Sequence, residues 1–330
     1  MVPRLGISAI LCLVMSAAAV ANDSQAEMGL GGLTLVRSES VTMASEELRI
    51  SDGRIEVDYV FLNTGTQDVD TLVAFPLPDF ENTEHSPEVR IPDYVGELEF
   101  RTSIDGKPAP LTLVQTATFG GVDITARLKA LKLPIMPLWQ PMQDAMKALP
   151  QATRAELAAA GWVEDANGGA EGIDPDWIGL WKVSTSVTRR QVFPARRPVA
   201  VSHAYRPFAG GSVGGRLDPQ YRDEDFFREA VAKYCMDESF LRGLDKRIRA
   251  TDQGRNYSEK WISYVLVSGA NWKGPIGRFR MVIDKGAAGN MVSFCADGVR
   301  KIDDRRFEVV KENYTPKQNV DVLVVDFTTR

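Results

Sequence analysis

The sequence predicts a mainly β, α+β fold: an antiparallel β-sandwich-like lobe interrupted by a helical insertion, followed by a second lobe of helix and antiparallel strands. Three observations predict it. Segments in both halves alternate apolar and polar residues with a period of two. The pairs Asp52-Gly53, Asp105-Gly106 and Asp297-Gly298 stand between such segments, where tight hairpins require positive φ angles. Helical patterning is confined to residues 123–161 and to a stretch that begins near Asp225.

The chain opens on a segment of different character. Met1 to Ala21 carries one positive charge at Arg4, then an apolar run, then Ala19-Val20-Ala21, the small-x-small pattern that a signal peptidase needs. This predicts a cleavable export signal over residues 1–21, cleavage after Ala21, and Asn22 as the first mature residue. The apolar run is shorter than the roughly 20 residues that span a bilayer, so it is not expected to stay as an anchor. Cys12 leaves with the signal, because the bulky Ile10-Leu11 before it do not suit lipid attachment. The mature chain is expected to have no transmembrane segment.

Residues 22–122 are expected to form sandwich strands. From Arg54 to Asn63, Ile55, Val57, Tyr59 and Phe61 alternate with polar residues, which sends them to one face of a sheet. Thr71 to Phe75 is a further strand, closed by Pro76-Leu77-Pro78 because proline cannot donate to a continuing ladder. Residues 123–180 are expected to be a mainly helical insertion. Thr153-Arg154-Ala155-Glu156 has the form of a capping box, Gly161 can end that helix in a left-handed turn, and Pro134, Pro137 and Pro150 break the region into short helices. Asp165 to Pro175 is expected to be a loop, and Trp177 and Trp181 are expected to anchor the insertion to the sheet.

Residues 181–215 return to strand, with Val199, Val201, His203 and Tyr205 on one face, and end in a flexible break at Gly210 to Gly215. Residues 216–330 form the expected second lobe. Its helix starts near Asp225 and carries Phe226, Ala230 and Tyr234 on one stripe with Phe227, Val231 and Cys235 beside it, which predicts a buried Cys235. Strands follow at Trp261–Val267, Phe279–Ile283, Met291–Cys295 and Val320–Phe327.

An even pair of cysteines in an exported chain predicts a disulfide between Cys235 and Cys295. Closing a loop of that length stabilises the fold by about 4 kcal/mol in the chain-entropy model. The spacing lacks the two-residue separation of a redox motif, so the pair is expected to be a clamp. The formal net charge of −5, or −6 once Arg4 is lost, argues against a nucleic-acid partner. With 44% hydrophobic residues the chain has ample material for a core, and its length suggests two lobes.

Several motifs resemble those of one family. Asn22-Asp23-Ser24 with Ala26-Glu27, Gly31-Gly32-Leu33, Met43 with Ser45-Glu46-Glu47-Leu48, and Val73-Ala74-Phe75-Pro76-Leu77-Pro78 are four of them. Gln191-Val192-Phe193-Pro194-Ala195, His203-Ala204-Tyr205-Arg206-Pro207 and Asn271-Trp272-Lys273-Gly274-Pro275-Ile276 are the others. Together they resemble the exported bacterial proteins of domain of unknown function 4424, over essentially the whole mature chain. The resemblance implies a periplasmic protein of the bacterial envelope and implies no activity. Tyr59-x-Phe61-x-Asn63 leading into Phe75-Pro76-Leu77-Pro78 is also similar to the β-sandwich domains at the start of inter-alpha-trypsin-inhibitor-like proteins, which implies fold only.

The chemistry-bearing patterns exclude more than they assign. Gly210-Gly211-Ser212-Val213-Gly214 matches the nucleophile elbow of α/β hydrolases, but no helix follows at once and both histidines, His85 and His203, precede the serine. Two distant histidines and bridged cysteines cannot make a zinc cluster, and Asp174-Pro175-Asp176 lacks the other ligands of an EF-hand, so no metal is expected. No phosphate-cradling glycine motif is present, and no cofactor is expected.

Polar residues inside apolar strands remain as binding candidates. His203 is either a hydrogen-bonded core histidine or a group lining a cleft. Tyr205 and Arg206 together with Asn271 and Trp272 are either an aromatic and cationic ligand patch or a sandwich corner around a packed tryptophan. The expected function is a non-enzymatic binding or envelope-interaction protein whose partner is an envelope protein or a ligand. The alternative is a hydrolase acting on an envelope polymer through a carboxylate pair that spacing in sequence does not identify. A third class, a structural part of an assembly, would expose a large apolar patch.

Overall fold

A computed structural model describes residues 22–29, 32–81, 98–207, 209–250 and 257–327; the predicted export signal lies outside the described residues. The first strands are β1 (Ser24–Gly29), β2 (Gly32–Leu35), β3 (Val41–Ile50), β4 (Ile55–Asn63) and β5 (Val69–Pro76). They are followed by β6 (Arg101–Ile104), β7 (Lys107–Pro108), β8 (Thr112–Phe119) and β9 (Val122–Asp123). Helices α1 (Thr125–Ala130), α2 (Trp139–Ala148) and α3 (Gln151–Ala159) come next, with a small hairpin of β10 (Val163–Asp165) and β11 (Trp177–Gly179). Strands resume as β12 (Lys182–Phe193), β13 (Pro198–Tyr205) and β14 (Ala209–Ser212). The remainder is α4 (Asp225–Tyr234), α5 (Glu238–Ala250), β15 (Ser258–Tyr264), β16 (Ile276–Asp284), β17 (Met291–Phe294), β18 (Arg300–Lys301), β19 (Arg306–Tyr314) and β20 (Val320–Asp326).

The protein is mainly β, built on antiparallel sheets with few helices, as the sequence predicts. A six-stranded sheet, β2-β1-β5-β12-β8-β9, faces an eight-stranded sheet, β18-β19-β16-β3-β4-β13-β6-β7. Their inward residues meet ring against ring: Phe75 of β5 lies 5.6 Å from Tyr205 of β13, and Phe193 of β12 lies 5.6 Å from Phe61 of β4. Such edge-to-face pairs add to the burial of their apolar area. A third sheet, β14-β15-β20-β17, carries α4 and α5. Strand β20 is buried on both faces, sending Val322 and Val324 to the main core and Leu323 and Val325 to the helices.

The sheets cross the lobe boundary expected at residue 215. Strand β16 pairs in parallel with β3, from Arg278 opposite Ser45 to Ile283 opposite Ile50, and so completes the sheet that the first third of the chain begins. Its inward residues Phe279, Met281 and Ile283 join the sandwich core, and Arg280 points outward to Glu47 at 2.6 Å. The residues from 216 onward therefore supply both the helix-bearing sheet and part of the sandwich.

Several local expectations are modified. Of the three Asp-Gly pairs, only Asp105-Gly106 has both residues at positive φ, 48° and 77°, in the tight β6–β7 turn. Ser51–Arg54 makes a wider turn, closed by Ser51 N donating to Arg54 O at 2.9 Å, and in the third pair only Gly298 has positive φ. Thr153 is not a cap, because the fixed φ of Pro150 starts α3 two residues earlier; Glu156 instead meets Arg127 at 3.2 Å. Cys235 is exposed rather than buried, since α4 ends at Tyr234 and Cys235 takes the left-handed cap conformation with φ 51°. It is nonetheless bridged to Cys295. Trp181 is fully buried, and its indole donates to Ile135 O at 2.7 Å, tying the helical segment to β12.

Candidate functional site

Strand phase decides where the sequence-predicted site residues go. On β13 the odd-numbered residues face inward, so His203 and Tyr205 are in the sandwich interior. Tyr205 stacks on Phe100 at 4.9 Å. Arg206, just past the strand, is exposed and pairs with Glu99 at 3.1 Å. Trp272 is fully buried, packs 4.6 Å from Phe61 and donates its indole N–H to Asp23 O at 2.6 Å, while Asn271 Nδ2 donates to Ser24 Oγ at 3.0 Å. The five do not converge on one open patch: His203, Tyr205 and Trp272 are buried, Asn271 is half-buried and Arg206 is exposed, while His203 both joins a buried polar cluster and lines a surface cavity of about 520 Å³.

That cluster is built around residues 22–24. The Asp23 carboxylate receives two hydrogen bonds from Arg189, at 2.9 and 2.6 Å, and both side chains are 2% exposed or less. His203 Nε2 lies 3.2 Å from Asp23 Oδ1 without hydrogen-bond alignment, and Nδ1 shares a 2.8 Å bond with Thr102 Oγ1. Burial would raise Asp23, but Arg189 and His203 outweigh it and hold the carboxyl well below the usual range. Burial pushes His203 down and favours its neutral form. On the opposite side, Asn22 Nδ2 donates to Glu46 Oε2 at 3.0 Å, and the Tyr59 hydroxyl bonds to Asn22 Oδ1 and lies 3.1 Å from that of Tyr264. Sequence reasoning missed Asp23, Glu46 and Arg189; the available signal was the inward phase of Glu46 among Met43, Leu48 and Ile50, and of Arg189 between Val187 and Gln191.

An accessible site lies elsewhere, between α4 and the β14–β15–β20 sheet. It is a surface cavity of about 550 Å³ lined by Arg216, Phe226, Phe227, Tyr234, Glu259 and Trp261 among others. The Arg216 guanidinium sits 5.3 Å from the Phe226 ring and 5.6 Å from the Trp261 ring. Glu259 is 3% exposed, and its Oε1 has no hydrogen-bond partner. Burial raises this carboxyl to about 7, against the opposing charge of Arg216.

The Gly210-x-Ser212-x-Gly214 motif packs behind Trp261, one of the cavity's lining residues, and against Tyr257. A Cβ at Gly210 would stand 2.8 Å from the Trp261 ring, and one at Gly214, where φ is 96°, would stand 2.3 Å from Tyr257 O. Ser212 lies in β14, with its Oγ accepting from Gly214 N at 3.3 Å, and α4 begins only at Asp225. The geometry is that of a packed edge strand rather than a nucleophile elbow. A second cavity, of about 520 Å³, is lined by Arg49, Glu56, Asp58 and Arg101, where Arg49 and Asp58 pair with each other at 3.1 Å. Among the described residues no cluster of three or more metal-ligating side chains is present, and no helix is long and apolar enough to cross a membrane.

The family model for a domain of unknown function, DUF4424, matches residues 21–323. The chain belongs to this family. That membership bears out the resemblance carried by the motifs quoted above, three of which supply Asn22–Ser24, Glu46 and Asn271-Trp272 to the buried cluster of this DUF4424 chain. No curated protein matches the chain. A solved structure from Legionella pneumophila, named a "putative nutrient binding protein", is similar to it at 13% identity. The match covers 93% of this chain and 70% of that one, with a TM-score of 0.45, too low to support any statement about fold or ligand.

Proposed function

We propose that this DUF4424 chain is an exported, periplasmic, non-enzymatic binding protein whose ligand enters the cavity between α4 and the β14–β15–β20 sheet. The observation that carries this is the unpartnered Oε1 of Glu259, a buried acceptor on the wall of an aromatic cavity. Leaving a buried polar atom unpaired costs about 1–3 kcal/mol, which a ligand N–H or O–H recovers on binding. Trp261 and Phe226 offer flat apolar surface beside it, so the fitting ligand is a small molecule with a hydrogen-bond donor next to a planar or apolar part.

The test is thermal-shift screening of the processed protein against a library of such small molecules, together with mass spectrometry of molecules that co-purify from the periplasm. A ligand should raise the melting temperature of wild-type protein, and Glu259→Gln and Trp261→Ala should each weaken that effect. Binding that both variants retain in full would refute the cavity. Turnover of an envelope polymer by the purified protein would replace the binding function with hydrolysis.

A further inference from the structure

Chain ends normally fray, because few contacts order them. Here Asn22, Asp23 and Ser24 are each 0% exposed, although all three are polar. The Asn22 backbone N donates to Ser268 Oγ, which donates back to Asn22 O at 2.6 Å, so one serine clamps both ends of the residue. A Cβ on the adjacent Gly269 would stand 2.7 Å from Asn22 Nδ2, so this pocket is shaped to the asparagine.

We propose that the α-amino group of Asn22, released by hydrolysis of the bond after Ala21, is itself a ligand of the fold, docking on Ser268 with Glu46 as its counter-charge. The inference rests on export and processing, and not on the cavity at Glu259. Hydrolysis by a membrane signal peptidase adds water across the Ala21–Asn22 bond. The Ala21 carbonyl carbon gains the oxygen, the Asn22 nitrogen gains a hydrogen, and the resulting amine takes a proton from solvent.

Two observations ask for that cation. First, Glu46 is buried with Oε1 outside hydrogen-bond geometry, although the Tyr264 hydroxyl lies against the carboxyl, and Oε2 accepts from the Asn22 side chain. An amide nitrogen has one hydrogen, given to Ser268; an ammonium has three. Second, among the described residues no positive group acts on Glu46. The titratable groups that act on it or face it are Asp23, Tyr59, Tyr264 and Tyr314. Arg189 is engaged by Asp23, and burial favours neutral His203. Lacking a cation, the Glu46 carboxyl is pushed up to about 8 by burial. Without a cation the carboxyl escapes the cost of a buried charge by keeping its proton, and a docked ammonium is what would let it ionise in place.

The test uses the full chain, exported and purified from the periplasm through a C-terminal tag. Intact mass should show a chain beginning at Asn22; any other start overturns the proposal. A small acetylating reagent should label the Asn22 amine about tenfold or more slowly in native protein than in urea, as expected for a group exposed only by local opening. Equal rates overturn the proposal. A second arm inserts one glycine between Ala21 and Asn22, which keeps processing but displaces the ammonium by one residue. Glu46→Gln should lower the melting temperature of the authentic chain and leave that of the displaced chain unchanged or higher. Additive effects of the two changes overturn the proposal. If the displaced chain does not accumulate, the labelling rates decide alone.

Discussion

Arg189 and Arg190 are neighbours on β12 that point to opposite faces, and they separate the energetics of a buried ion pair from those of an exposed one. Arg189 is enclosed with Asp23 in the sandwich interior, and Arg190 meets Asp70 in solvent at 3.0 Å. Replacing Arg189 by methionine keeps most of the side-chain volume and removes the two hydrogen bonds that hold the Asp23 carboxylate. Deleting one member of a buried pair costs about 3–5 kcal/mol, because the remaining charge stays dehydrated. At about 2–3 °C of melting temperature per kcal/mol for a chain of this size, the expected fall is about 6–15 °C. Arg190→Met should cost about 0–1 kcal/mol, the usual worth of an exposed pair. Urea unfolding at pH 7, with thermal melting in parallel, measures both. A loss below about 1 kcal/mol for Arg189→Met would show that Asp23 is not held as a buried carboxylate, since no other pairing explains so small a cost. Part of the deficit should return on moderate acidification, where Asp23 or His203 takes up the proton that restores neutrality.

Other perturbations give separate outcomes. Replacing Cys235 and Cys295 together by serine should lower stability by about 2–5 kcal/mol, measured by urea unfolding against the oxidised protein. The displaced-amine chain should lose stability as pH rises from about 4.5 to about 8: unfolded Glu46 ionises in that window while folded Glu46 stays protonated, so the unfolded state binds fewer protons. The authentic chain should lack this fall, which unfolding curves at pH 5 and 8 would check. Gly210→Ala should drive the Trp261 ring out of place, cost about 1–3 kcal/mol, and weaken ligand-induced thermal shifts.

What the sequence made legible follows from what is local. Period-two alternation marked β4 and β13 with their buried faces, and the pair of cysteines left outside the predicted export signal marked the disulfide. Boundary details were harder: the stripe containing Cys235 is real, but the helix stops one residue before it. The candidate residues do not come together as one open patch, for a different reason. His203 and Trp272 are polar or amphipathic residues at inward positions, and such residues look alike in sequence whether they face a ligand or another part of the chain. Their partner Asp23 lies 249 positions from Trp272 and 166 from Arg189, and no local pattern encodes such pairings. The cavity was hidden similarly, since Glu259, Trp261 and Arg216 meet only when β15 pairs with β14 and α4 closes over them.

The parallel seam between β3 and β16 has a consequence for the order of events in time. Strand β3 is made early, and its second edge waits for residues 278–283. The Asn22 clamp likewise waits for Ser268, 246 positions later. Contacts of such long range are closed late and slowly, because the intervening loop must be ordered before the contact rewards it. A partly synthesised fragment can therefore assemble the six-stranded sheet, whose strands end at Phe193, but not the eight-stranded sheet that must face it. The same topology that seals the finished molecule keeps the nascent one open until β16 is made.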